Sequence, residues 1–217
     1  MAMGRSGIAV GIIGAAGTAA FIPAFKITTI ANVALIYSVA PLLAALLAWA
    51  MIRERMDART IAGAVGAILG VGIIVSGSLG TLSVQGDALA LIMTAAMATI
   101  MVIYRVYPST PSGGPSVLQS LILLPFCVFF GEPLRTSTAE IAVLAAFGVL
   151  FAIASVTLAE GAKRFPAGQT ALIGALETPL AIALGIAILS EFPGNATAIG
   201  GAVVLCAVVY SIRWRAT

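Results

Sequence analysis

The chain contains an internal duplication, and any fold must accommodate two copies of one unit. Residues 26–72 reappear as residues 163–209, displaced by 137 positions without a gap. Identical pairs include Lys26 and Lys163, Ala34-Leu35-Ile36 and Ala171-Leu172-Ile173, Ala44 and Ala181, Leu47 and Leu184, Glu54 and Glu191, Thr60 and Thr197, and Gly63 and Gly200. Most other pairs differ, which indicates that the repeat is old.

Both copies lie in stretches that are apolar enough to cross a membrane. The mean hydropathy is +1.14 and only 9% of residues are charged, against about 25% in soluble domains. A helix needs about 20 mainly apolar residues to cross the hydrocarbon layer. Eight stretches qualify, namely residues 7–25, 31–52, 60–77, 88–107, 115–131, 141–162, 167–189 and 196–212. Because a backbone in lipid must satisfy its own hydrogen bonds, the sequence predicts an all-α polytopic membrane protein with eight transmembrane helices.

The order of these stretches predicts that the two copies are inverted. The repeat pairs the first three spans with the last three, which is a shift of five spans. Since five is odd, the copies must face opposite sides of the membrane. Inverted repeats of this kind are typical of secondary transporters. The chain is accordingly divided into a first repeat of three helices, residues 1–84, and a second repeat of five helices, residues 85–217.

The basic residues predict the orientation. With a cytoplasmic N-terminus, nine basic residues fall inside and two, Lys26 and Arg135, fall outside. The inner set is Arg5, Arg53, Arg55, Arg59, Arg105, Lys163, Arg164, Arg213 and Arg215. This distribution follows the positive-inside rule and predicts a multi-pass inner-membrane protein with both termini in the cytoplasm. No basic tract with interleaved aromatic residues is present, so the partners expected are the lipid bilayer and a small molecule, not nucleic acid.

The two copies resemble the EamA domain of the drug/metabolite transporter superfamily. In the first copy the matching residues are Ala34-Leu35-Ile36-Tyr37-Ser38-Val39-Ala40-Pro41-Leu42, Ala48-Trp49, Glu54-Arg55 and Gly63. In the second copy they are Arg164-Phe165-Pro166-Ala167-Gly168, Ala171-Leu172-Ile173, Leu176-Glu177-Thr178-Pro179-Leu180, Glu191 and Ile199-Gly200-Gly201. The order and spacing of these short motifs carry the resemblance, which extends over nearly the whole chain.

The resemblance implies a carrier of small organic metabolites, with export favoured by analogy. It also implies an architecture of two inverted five-helix units. On that pattern the second unit is complete, whereas the first begins at its third helix. Two functions therefore remain open. The chain is either a secondary transporter that works by alternating access, or a non-transporting membrane subunit or truncated remnant that pairs with a partner protein.

Glu177 is the leading candidate for a substrate or ion site. It lies ten residues into the seventh span, near the bilayer centre, where a charged side chain costs about 2.5–3.5 kcal/mol on insertion scales. A functional interpretation places Glu177 on a water-accessible cavity, where it binds a proton or a substrate ammonium group. A structural interpretation keeps the carboxyl protonated and bonded to a neighbouring helix.

Two prolines predict where a substrate site would form. Pro41 and Pro179 interrupt the corresponding helices of the two copies, and interrupted helices in corresponding halves often carry transporter binding sites. A simple kink is the alternative. The remaining candidate lining residues are Asn32, Tyr37, Ser38, Gln169 and Tyr104. Each of them has interhelical packing as its alternative role.

Enzymatic chemistry is not expected. The chain has no histidine, and the deep carboxyl of Glu177 stands without the second acid that an aspartic dyad requires. No glycine-rich phosphate loop follows a strand, so no ATP-driven step is expected within this chain. Neither a metal nor a cofactor is predicted. A homo-oligomer or a partner subunit is left open.

Overall fold

The computed structural model describes residues 3–53, 58–78, 83–111, 113–130, 136–164, 177–190 and 192–211. Within these ranges the chain is helical. The helices are α1 (Gly4–Ile27), α2 (Ile30–Tyr37), α3 (Ala40–Ile52), α4 (Ala58–Gly77), α5 (Ser83–Val106), α6 (Gly113–Phe130), α7 (Thr138–Arg164), α8 (Glu177–Leu189) and α9 (Asn195–Ser211). The all-α class predicted from the sequence is confirmed for the described residues.

The helices have the length and surface of a membrane protein. In the part of the chain that the structure describes, four segments are long and apolar enough to cross a bilayer, namely Gly4–Ile27, Ile30–Met51, Ala58–Gly77 and Ser83–Val106. Large apolar side chains such as Ile68, Phe129 and Leu150 lie exposed on the helix exteriors. Exposed apolar surface on this scale does not occur on a soluble monomer, so the exteriors face lipid. The protein is a multi-pass membrane protein.

The second crossing is broken in the middle, as predicted from Pro41. Helix α2 ends at Tyr37, and Pro41 is the second residue of α3. Proline lacks a backbone N–H and is tolerated in the first turn of a helix. At the break, the Ser38 hydroxyl donates to the Leu35 carbonyl at 2.7 Å, and the Val39 N–H donates to the Ile36 carbonyl at 3.3 Å. These bonds satisfy the backbone where the regular helix stops.

The helix bounds repeat with the spacing of the sequence duplication. Helix α8 ends 137 positions after α3. Two non-glycine residues in the described ranges have positive φ, Arg53 at 53° and Ser190 at 55°. They occupy corresponding positions, each one residue after the helix, and a left-handed residue there is a common way to end a helix.

Helices α4 and α9, whose sequences correspond, pack closely and run in opposite directions. Gly63 near the start of α4 lies against Ala207 near the end of α9, and Gly200 near the start of α9 lies against Gly70 on α4. A Cβ added at Gly63 would lie 2.9 Å from the Ala207 carbonyl oxygen, and one added at Gly200 would lie 2.6 Å from the Gly70 carbonyl oxygen. Small residues allow such close approach of membrane helices.

The rest of the core forms around α1 and α2. Helix α1 packs against α5 and α6, and α2 packs against α5 and α8. Gly11 of α1 lies against Leu118 of α6, and Gln119 donates to the Thr18 hydroxyl at 2.7 Å. The centre is filled by buried apolar side chains that include Val33, Ile36, Ile74, Met93 and Val204.

A capping box formed by Ser137 and Glu140 begins α7. The Glu140 carboxylate accepts from the Ser137 N–H at 2.7 Å, and the Ser137 hydroxyl accepts from the Glu140 N–H at 3.3 Å. The bond from the Ser137 backbone, followed by that from its hydroxyl, lowers the pKa of Glu140. Because the pKa is lowered, ionised Glu140 stabilises the helix end fully at pH values above its unfolded-state pKa. This contribution is lost as the pH falls through the folded-state pKa.

We expect a carbon-detected NMR titration to give Glu140 a pKa below its ordinary value. Ser137→Ala removes the hydroxyl but keeps the backbone N–H, so it should move the pKa only part of the way back. A Glu140 that titrates at or above the ordinary value in the unmodified chain would contradict the capping box.

Candidate functional site

Five polar side chains are buried together at the end of the bundle away from the N-terminus. They are Thr28, Asn32, Ser78, Asp87 and Thr197, and their exposed fractions run from 0% for Asp87 to 9% for Thr28. They come from the end of α1, the start of α2, the end of α4, the second turn of α5 and the start of α9. We refer to these five residues as the Asp87 cluster. The ends of α1 and α4 and the starts of α2, α5 and α9 therefore meet at one side of the bundle.

Local sequence explains how α1, α2 and α5 come together. Thr28 lies in the short reversal between α1 and α2, and the Thr29 hydroxyl caps α2 by accepting from the Asn32 N–H at 3.1 Å. A Cβ added at Gly86 would lie 2.7 Å from the Thr28 backbone nitrogen. Glycine at position 86 thus allows α5 to approach the reversal and places Asp87 beside Thr28 and Asn32.

The Asp87 carboxylate accepts hydrogen bonds from two neighbouring side chains. The Thr28 hydroxyl donates to Oδ1 at 2.7 Å. The Asn32 amide nitrogen lies 3.0 Å from Oδ1 and 3.3 Å from Oδ2. Hydrogen bonds to an ionised carboxylate are roughly twice as strong as bonds between neutral groups, so these contacts offset much of the cost of burying the charge.

Asn32 is the centre of the Asp87 cluster. Its amide nitrogen also lies 3.3 Å from the Thr28 hydroxyl oxygen and 3.3 Å from the Ser78 hydroxyl oxygen. Its amide oxygen accepts from the Thr197 hydroxyl at 2.6 Å. One amide therefore contacts residues that follow α1 and α4 and residues within α5 and α9. Among the described residues, every buried side-chain nitrogen and oxygen has a hydrogen-bond partner.

The cluster contains one ionisable residue, Asp87, which is buried inside a membrane protein. Ionisable residues at such positions are rare and usually mark ion or substrate pathways. The donors that face Asp87 are neutral hydroxyl and amide groups. Among the described residues, no three His, Cys, Asp or Glu side chains are placed to share a metal ion. The cluster holds these helix ends together.

Of the eight residues proposed from sequence, the structure places Asn32 in this cluster. Tyr37 and Ser38 are partly buried at the break between α2 and α3. Tyr104 is partly buried on α5, 17 residues from Asp87, which is about 25 Å along a helix that rises about 1.5 Å per residue. Tyr104 therefore does not share a site with the cluster.

The other four proposed residues fall outside what the structure describes. Gln169 lies outside the described ranges, and the side chains of Pro41, Glu177 and Pro179 are likewise not described. The neighbouring Thr178 is buried, and its hydroxyl oxygen lies 3.5 Å from the Ala34 carbonyl oxygen. The start of α8 therefore lies beside α2, close to the break.

Sequence reasoning missed Asp87 because residues 78–87 lie between the predicted spans 60–77 and 88–107. Asp87 instead lies within α5 and is fully buried. A signal was available in the duplication. Asn32 corresponds to Gln169 and Thr197 corresponds to Thr60, so both members of the Asn32–Thr197 hydrogen bond have polar counterparts.

The comparisons with known proteins agree with this architecture. A solved crystal structure, described only as "Crystal structure of protein", superposes with a TM-score of 0.59 at 18% sequence identity, covering 96% of this chain and 88% of that one. At this identity the similarity shows the fold alone. No curated protein matches the sequence. The profile of the EamA-like transporter family matches residues 4–76 and 84–213. The chain belongs to the EamA-like transporter family.

Proposed function

We propose that the protein is a secondary transporter that exports a small organic metabolite by alternating access. The family is one of membrane transporters of the drug/metabolite superfamily, and not of enzymes. The observation that carries the proposal is the antiparallel pairing of α4 and α9, two helices of corresponding sequence. Two copies of one unit in opposite orientations provide inward-open and outward-open states of similar energy.

The proposed topology has eight crossings in two inverted units, residues 1–84 and 85–217. Both termini lie in the cytoplasm and the membrane is the inner membrane. The distribution of basic residues supports this orientation. The common position of the Asp87 cluster supports the alternating directions of the helices, because the ends of α1 and α4 and the starts of α2, α5 and α9 lie on one side, which this orientation makes the outer side.

The proposed substrate path runs between the α2–α3 break and the start of α8. Tyr37 and Ser38 lie at the break, and Thr178 contacts α2 at Ala34. Glu177 precedes Thr178 and is the proposed group for a proton or a substrate ammonium. Asn32, Gln169, Pro41 and Pro179 complete the proposed lining, and Tyr104 is retained as a separate contact near the cytoplasmic end.

The test is flux in proteoliposomes loaded with a panel of metabolites, with and without a pH gradient. We expect at least one compound to move faster than in protein-free liposomes. Glu177→Gln should abolish the pH-dependent part of that flux, because a glutamine side chain does not bind or release a proton in this pH range. Unchanged pH dependence in the variant would refute the role of Glu177, and absence of flux across the panel would count against transport.

A second candidate, a membrane subunit that pairs with a partner, is favoured by one contrast between corresponding helices. Gly148 on α7 lies 137 positions after Gly11 on α1, which is the offset of the duplication. A Cβ at Gly11 would lie 2.8 Å from Leu118, whereas none of the described atoms lies within 4 Å of a Cβ at Gly148. Native mass spectrometry of the protein released from nanodiscs tests this candidate. A stoichiometric partner together with no flux would favour the subunit.

A further inference from the structure

We propose that Asp87 is a proton-binding site, and that its ionised form latches the outer end of the helix bundle. The ligand is a proton taken from the outer side, and the latch is the Asp87 cluster. This inference rests on the proposed transport function, because it assigns the outer gate of that transporter and the proton that controls it. It assigns them to a residue different from Glu177.

The position of the cluster makes it a gate. Asp87 and Asn32 connect α5 and α2 directly, and Asn32 extends the connection to Ser78 after α4 and to Thr197 on α9. In the first repeat the cluster uses α1, α2 and α4, and in the second it uses α5 and α9. Any motion that separates the two repeats at this end must break these hydrogen bonds. While they hold, the crevice between the repeats is closed on this side.

The hydrogen-bond directions make the latch dependent on charge. Thr28 and Asn32 both donate to the carboxylate, and the Asn32 amide oxygen is already used by Thr197. The ionised carboxylate satisfies this arrangement as an acceptor. A protonated carboxyl carries a hydrogen that needs an acceptor of its own, and its remaining bonds lose their charge-assisted strength. Proton binding therefore weakens the latch.

The described helices around the cluster provide no competing charge at this depth. Helices α2 and α3 contain no charged residue, and neither does α9. The charged residue of α4 is Arg59, at its opposite end, and that of α5 besides Asp87 is Arg105, in its last turn. Lys26 near the end of α1 is exposed. Among the described residues, Asp87 is thus the titratable group that faces the cluster.

The coupling follows from linkage. If proton binding to Asp87 favours the open outer end, opening must by the same factor favour proton uptake from outside. Closure of the outer end requires release of the proton, so a low pH on the outer side holds that end open.

The test measures how fast a buried cysteine is reached from the outer side at different pH values. Both native cysteines, Cys127 and Cys206, are exposed and are replaced by serine. Ala90→Cys is then introduced one turn deeper than Asp87 on α5, where the side chain is 0% exposed. Gly194→Cys, at an exposed site with open space around it before α9, serves as the reference. A membrane-impermeant methanethiosulfonate is added to membrane vesicles of each orientation, and the orientation that labels Gly194→Cys is used.

We expect the rate at Ala90→Cys, divided by the rate at Gly194→Cys, to rise about tenfold for each unit fall in pH before it levels off. The division removes the pH dependence of the thiol itself. Asp87→Asn keeps the size of the side chain but cannot ionise, so its ratio should be high and independent of pH. Asp87→Glu should restore a pH-dependent ratio.

If the ratio of the two labelling rates does not depend on pH while Asp87 is present, the proposal is overturned, whatever the Asp87 variants show. A pH dependence that persists in a monodisperse Asp87→Asn protein would also overturn it. Because this assay needs no transported substrate, its failure is distinguishable from the failure of the flux assay. Loss of pH dependence in Glu177→Gln instead of Asp87→Asn would assign the proton to Glu177.

Discussion

Asn32→Leu is expected to lower the free energy of unfolding by about 3–5 kcal/mol, since it removes the amide that joins four other buried polar side chains. The Asp87 carboxylate would lose the contacts at 3.0 Å and 3.3 Å, and the Thr197 hydroxyl would lose its acceptor at 2.6 Å. A buried group left without a partner costs about 1–3 kcal/mol, and a charged group costs more. The measurement is reversible unfolding by dodecyl sulfate in mixed micelles.

Ser38→Ala is the matched control for Asn32→Leu on the same membrane crossing. Ser38 is partly buried, and its hydroxyl bonds to the Leu35 carbonyl within its own segment. Its loss should therefore cost about 1 kcal/mol or less, the net value of an ordinary hydrogen bond. Equal destabilisation by the two variants would mean that the Asp87 cluster does not hold the helix ends together.

The helices could be predicted from sequence because their signals are local or periodic. Apolar length alone located the crossings that α1, α4 and α5 now occupy, and Pro41 located the break in the second crossing because proline removes a backbone donor at a fixed place. The duplication aligned the end of α3 with the end of α8. Each inference needed only neighbouring residues or one fixed offset.

The Asp87 cluster could not be predicted in the same way because its members are scattered. Thr28, Ser78 and Asp87 each stand near the end of an apolar stretch, where a polar residue ordinarily faces interfacial water. Only the packing of α5 against the α1–α2 reversal at Gly86 turns Asp87 inward. Asn32 was identified because it lies inside an apolar stretch, where its amide needs partners.

Gly70→Val is expected to separate α4 from α9, whereas Gly72→Val is not. A Cβ at Gly70 would lie 2.6 Å from Val204 Cγ2 and 2.8 Å from the Gly200 carbonyl oxygen, whereas none of the described atoms lies within 4 Å of a Cβ at Gly72. Both glycines belong to α4, so the change in helix propensity is the same. We expect Gly70→Val to cost about 3 kcal/mol more than Gly72→Val, the upper range for an overpacked site.

Substituting the facing glycines of α4 and α9, Gly70 and Gly200, singly and together extends this experiment. A Cβ at Gly200 would lie 2.6 Å from the Gly70 carbonyl oxygen and 2.8 Å from Ile74, so Gly200→Val forces apart the same two backbones. Once one valine has separated the helices, the second meets less resistance, and the double variant should cost less than the two single variants together. Additive costs in dodecyl sulfate unfolding would mean that the two glycines act at independent contacts. A double variant that costs less than the sum of the two single variants would instead show that α4 and α9 pack along one shared line of small residues. If the transporter alternates, the two repeats must move about this line.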